Sequence, residues 1–129
     1  MADLRLGGAS VASVFLWAAS AGAADTPAAP TFTKDVAPIF QAKCEACHRP
    51  DSMAPMSLAS YQDARPWARS IKARVAARQM PPWHIDKNVG IQDFKNDRSL
   101  DDHEIDVITR WVDAGAPQGD PKDMPPAIA

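Results

Sequence analysis

The chain has 129 residues and a formal net charge of −2, which fits one domain and lacks the basic excess of a nucleic-acid binder. It carries 12 prolines and only two cysteines. No internal repeat or low-complexity block stands out beyond Pro/Ala-rich ends.

Residues 1–24 have the layout of a secretory signal peptide. "MADLRLGG" is short and carries Arg5, partly offset by Asp3. "ASVASVFLWAASA" is an apolar run too short to span a bilayer, which argues against an uncleaved anchor. "AGAAD" supplies small residues for cleavage after Ala23 or Ala24. Export, to a periplasm or beyond, puts the mature chain in an oxidising compartment, where paired cysteines can form a disulfide. The mature part, about 105 residues, can bury only a small core. A prosthetic group bound only by the folded state would add stability.

Residues 25–32 read as a flexible leader. A first helix starts near Thr33 or Asp35 and runs to Lys43, with Val36, Ile39 and Phe40 on one stripe. Asp35 as N-cap puts Pro38 within the first turn, where a missing N–H costs little. "RPDSMAPMSLAS" is irregular. Ser60 and Asp63 have capping-box spacing at a turn around Tyr61.

Pro66 suits the first position of a second helix that runs to Arg78. Trp67, Ala68, Ile71 and Val75 share its apolar arc. Arg65, Arg69 and Lys72 lie opposite, and Arg74 and Arg78 border the arc. Residues 79–98 form a loop by their proline pair and Gly90.

A last helix spans Leu100 to Asp113, capped by Ser99 with Asp102 or by Asp101 with Glu104. Ile105, Ile108, Trp111 and Val112 make its apolar face, widened by Val107. Gly115 and Pro117 close it. Residues 118–129 read as a loosely ordered tail. The expected fold is all-α: three main helices joined by long loops, with the domain proper at 33–117.

The chemistry concentrates in "CEACHRP", residues 44–50. Cys44 and Cys47 can attack the two vinyl groups of one haem, with His48 placed to ligate the iron. Zinc needs four ligands, and the other histidines are only His84 and His103. His103 falls on the polar face of the last helix, among Asp102, Asp106 and Arg110. A thioredoxin-like pair needs a βαβ context that the pattern lacks; a plain disulfide stays as the alternative.

Met80 is the candidate for the second axial ligand, in "RQMPPW", where two prolines stiffen the backbone after the sulfur. His84 is the bis-histidine alternative. Met53 and Met56 follow His48 too closely to reach the far face without a tight loop, and Met124 is in the tail. Arg74 and Arg78 are candidates to meet haem propionates, and Trp67 and Trp83 to line the haem pocket.

"CEACH", "MPPW" and the closing "LDDHEIDVITRWVDAG" resemble class I cytochrome c, over about residues 33 to 121. The wider pattern, with "NDRSL" and "WVDAGAP", is similar to a bacterial mono-haem subgroup. The resemblance implies a fold of three main helices wrapped around one covalent haem c. It implies that Phe40 packs on Trp111 where the first and last helices cross. It also implies a proline carbonyl that accepts from the His48 ring, for which Pro55 is the candidate.

The expected function is single-electron transfer between redox protein partners by a monomeric, exported carrier that is not itself an enzyme. The alternatives are a haem enzyme or sensor with a labile Met80, and a non-haem module with a Cys44–Cys47 disulfide. A basic stripe (Arg65, Arg69, Lys72) and an acidic one (Asp102, Asp106, Asp113) suggest salt-sensitive docking. No membrane contact is expected beyond export.

Overall fold

The computed structural model describes residues 28–82, 86, 88–91 and 94–128. The expected signal segment, Trp83 and His84 lie outside the described residues. Among those residues the chain is all-α, without strands, in three helical stretches. None of these helices is long and apolar enough to cross a membrane.

The first stretch is a wide π turn over Phe32–Val36 that runs into α1, Ala37–Lys43. The widening falls just before Pro38, whose ring and missing N–H disfavour a regular turn at that point. Asp35 is not the N-cap. Thr31 holds that place with extended backbone, and the Asp35 carboxylate reaches back to accept from the Thr31 backbone N–H at 2.7 Å.

The second stretch begins a turn earlier than Pro66. α2 (Tyr61–Ala64) is capped by Ser60, whose hydroxyl accepts from the Asp63 N–H. A 3₁₀ turn over Arg65–Trp67 then joins it to α3, Ala68–Ala76. Ala68, Ile71 and Val75 are buried as expected, but Trp67 is 45% exposed. At three residues per turn the 3₁₀ segment swings Trp67 out of the arc that α3 continues.

α4, Asp102–Asp113, opens with the Asp101/Glu104 capping box, both bonds of which are made. It closes in a Schellman turn: Ala116 N–H bonds Trp111 C=O at 2.9 Å, and Gly115 N–H bonds Val112 C=O at 3.0 Å. Gly115 supplies the left-handed residue this turn needs (φ 89°).

The core is an aromatic cluster at the crossing of the first and last helices. Phe40 meets Trp111 edge to face, centroids 6.4 Å apart. Phe32 touches Phe40, Tyr61 and Trp111 at 6.1, 5.5 and 5.9 Å. These separations suit favourable ring pairs. Phe32, Phe40 and Trp111 are fully buried. α3 packs on α4 from the other side through Ile71, Val75 and Ile108.

The fold extends beyond residues 33–117 at both ends. Phe32, placed by its composition in the leader, is a core residue. The described part of the tail is docked rather than loose. The first N–H groups of a helix have no partner within it; here Phe32 N–H bonds Pro117 C=O at 3.0 Å and Thr33 N–H bonds Gln118 C=O at 2.9 Å. Trp111 Nε1 also donates to Pro117 C=O, and Tyr61 Oη donates to Ala116 C=O, both at 2.9 Å. Beyond a 3₁₀ turn at Pro121–Asp123, Gln41 Nε2 donates to Pro126 C=O at 3.0 Å. The C-terminal segment is thus a strap over the first helix.

Candidate functional site

α1 hands directly to the cysteine motif. Cys44 N–H and Glu45 N–H both bond Phe40 C=O, at 2.8 and 2.9 Å. Cys47 N–H and His48 N–H then both bond Cys44 C=O, at 3.0 and 2.9 Å. This helical turn sets Cys44, Cys47 and His48 at i, i+3 and i+4, so the three side chains share one side. Both thiols are free and half-buried.

The following loop folds back onto the motif. Leu58 N–H bonds His48 C=O at 2.9 Å, and Ala54 N–H bonds Cys47 C=O at 3.3 Å. His48 Nδ1 lies 3.2 Å from Met56 C=O. A carbonyl only accepts, so Nδ1–H is the donor, which leaves Nε2 as the ring nitrogen not tied to this bond. The carbonyl is Met56's, not Pro55's. The Leu58–His48 bond sets the loop so that the residue after Pro55 turns its carbonyl inward, and Pro55 itself is exposed.

Burial pushes the Cys44 thiol up to about 12, with further raising from Glu45, Glu104 and Cys47 against a lowering from Lys43. Burial also raises the Glu45 carboxyl. Its Oε1 is a buried side-chain oxygen without a hydrogen-bond partner among the described residues.

Met80 follows the end of α3, which closes as α4 does. Gln79 N–H bonds Arg74 C=O at 2.9 Å, and Arg78 N–H bonds Val75 C=O at 3.0 Å. Arg78 occupies the left-handed position (φ 51°) that glycine usually takes. A side chain there costs about 1–2 kcal/mol and persists where the surroundings hold it. They do hold it here. The Arg78 guanidinium pairs with Asp102 and donates to Leu100 C=O at 3.3 Å. Arg74 donates to Gln79 Oε1 at 2.5 Å. Both arginines expected at propionates thus have partners within the chain.

Met80 is 40% exposed and lines a cleft of about 450 Å³. Val75, Leu100 and Ile105 form its apolar wall, and Arg78 and Asp102 its polar one. Cys44, Cys47, His48, Pro55, Trp67 and Arg74 do not line it. The cysteine turn and the Met80 cleft nonetheless border the same end of α4. Asp101 and Ile105 wall the cleft, while Glu104 between them acts on the Cys44 thiol.

Among the described residues no three His, Cys, Asp or Glu side chains gather as a metal site. The acidic stripe of α4 is engaged internally: Asp102 with Arg78, Asp106 with Arg110 at 3.5 Å, and Asp113 with Lys72. Such exposed pairs contribute little to stability, but they reduce the charge asymmetry read from the sequence.

Sequence reasoning missed Phe32, the Met56 carbonyl and the buried Glu45. Phe32 stands four residues before Val36 and eight before Phe40, so the helical period could have found it. The other two carry no sequence signal. The chain matches no protein-family model, no curated protein and no solved structure.

Proposed function

We propose that this chain is an exported electron carrier of the c-type cytochrome kind, with one haem held by Cys44 and Cys47 and ligated by His48 and Met80. The observation that carries the reading is the helical turn at 44–48. It sets two free thiols and one imidazole on a common side, with the Nδ1–H tied to Met56 C=O.

The donor set fits the group. Two thiols at this spacing can form the two thioethers, and Nε2 of His48 is the ring nitrogen left to ligate. The Met56 carbonyl fixes the ring's orientation and raises its basicity as a ligand. Met80 offers a neutral, soft thioether, which favours ferrous iron. The Phe40–Trp111 crossing agrees with what the resemblance implies. Haem bound there supplies a one-electron iron couple; the chain sets its potential and access to redox partners.

Were His48 and Met80 both to ligate a bound haem, no position would stay open for substrate, which supports a carrier over an enzyme. Met80 lines a cleft that Cys44, Cys47 and His48 do not, which favours one second reading, a sensor or enzyme in which Met80 is labile. Absorption spectra of the exported, haem-loaded protein test both. The ferric form should show a weak far-red Fe–S band that Met80→Ala abolishes, and the ferrous form should not bind carbon monoxide until that change is made. A band that survives Met80→Ala assigns the ligand elsewhere. Rapid carbon monoxide binding by the unaltered protein favours the labile reading.

A further inference from the structure

A second cleft, of about 680 Å³, lies between α1 and the C-terminal strap and takes in none of the residues assigned to the haem. Its volume falls within the range of small-molecule sites. Ala46, Met124 and Ile128 give it apolar walls, and Arg49 and Arg98 both line it. Neither guanidinium has a hydrogen-bond or ion-pair partner among the described residues. Glu45 also lines the cleft, 6% exposed, with Oε1 unpartnered.

We propose that this cleft binds a small amphiphilic organic anion, a medium-chain carboxylate, with its headgroup on Arg49 and Arg98 and its chain under the strap. Two unpaired guanidiniums exclude a cation, and their planar donor forks match a carboxylate. An inorganic anion would leave the apolar walls wet. Burial raises the Glu45 carboxyl, which lessens its opposition to an anion in the cleft. The strap supplies Met124 and Ile128, and it is docked through Gln41 and Pro126. The site is independent of the haem reading, so either can fail alone.

The test is an NMR titration of the exported full chain with decanoate, kept below its micelle concentration. Saturable shifts should centre on residues 41–50, 98 and 124–128. The double variant Arg49→Gln/Arg98→Gln should bind at least about tenfold more weakly, as expected for losing charge-assisted bonds, with an unchanged melting temperature. Decanol, with no charge, should bind about as weakly to the parent as decanoate does to the double variant. Shifts that do not saturate or fall elsewhere would overturn the proposal. So would decanol binding as tightly as decanoate, full affinity in the double variant, or a response to anionic lipid vesicles alone.

Discussion

Replacing Gly119 by alanine tests whether the C-terminal strap is part of the fold. Gly119 has φ 86°, and a Cβ there would fall 2.6 Å from Thr33 Oγ1 and 2.7 Å from both Cβ and Oγ1 of Thr31. These threonines are stiff at χ1 and already engaged: Thr33 Oγ1 donates to Gln118 C=O at 3.1 Å, and Thr31 Oγ1 to Asp35. The methyl therefore cannot be accommodated by a side chain swinging away. Left-handed backbone costs an L residue about 1–2 kcal/mol, and the displaced hydrogen bond about 1 kcal/mol more. The stiffer unfolded chain returns up to about 1 kcal/mol. A net loss of about 2 kcal/mol lowers Tm by roughly 8–16 °C in a domain of this size. Gly90→Ala is the control. Its φ is also positive, at 67°, but nothing lies within 4 Å, so its net loss stays at about 1 kcal/mol or less. Thermal unfolding followed by circular dichroism compares the two. Equal shifts for Gly119→Ala and Gly90→Ala would refute the docked strap, because only the contacts to Thr31 and Thr33 separate them.

Two further outcomes rest on the buried groups near the cysteine turn. In protein made without haem attachment, Cys44 at about 12, against an ordinary 9.0, has roughly a thousandfold less thiolate at pH 8. The greater nucleophilicity of a more basic thiolate returns part of this, leaving alkylation about 30-fold or more slower than for an ordinary thiol. Peptide mapping by mass should show the Cys44 rate rising about a hundredfold between pH 8 and 10; a rise of only about tenfold, as for an ordinary thiol, contradicts the burial. Glu45 has its folded pKa raised, so its contribution to stability is complete below its ordinary 4.5 and is lost as pH rises through the folded value. Glu45→Gln should therefore raise Tm at pH 7 and give no gain at pH 4. The same gain at both pH values would point to packing instead.

Local signals were legible in the sequence and long-range ones were not. The caps at Ser60 and Asp101 and the stop at Gly115 depend on residues within a turn of one another, and each forms. The grouping of Cys44, Cys47 and His48 is local in the same way, following from helical spacing alone. Phe32 was hidden by the proline-rich composition before it, although its period matched the helix. The strap was hidden because Pro117 and Gln118 pair with the helix-start N–H groups of Phe32 and Thr33, far away in the chain, and backbone donors leave no mark in a sequence. Pro55 and Met56 differ by a single residue of loop path, which composition does not encode. Trp67 left the predicted arc because a 3₁₀ turn at Pro66 changed the helical period there. The pairing of Arg78 with Asp102 likewise spans two helices, so a residue on an apolar border read as a free cation.

The central claim is one haem held covalently at Cys44 and Cys47. Intact mass of the exported protein, measured under denaturing conditions after expression with cytochrome maturation machinery, tests it most directly, because thioethers survive unfolding. The expected result is the mass of the cleaved chain plus one haem, with the addition lost in a Cys44→Ser/Cys47→Ser variant. The bare polypeptide mass, or that mass less two hydrogens for a disulfide, would contradict it.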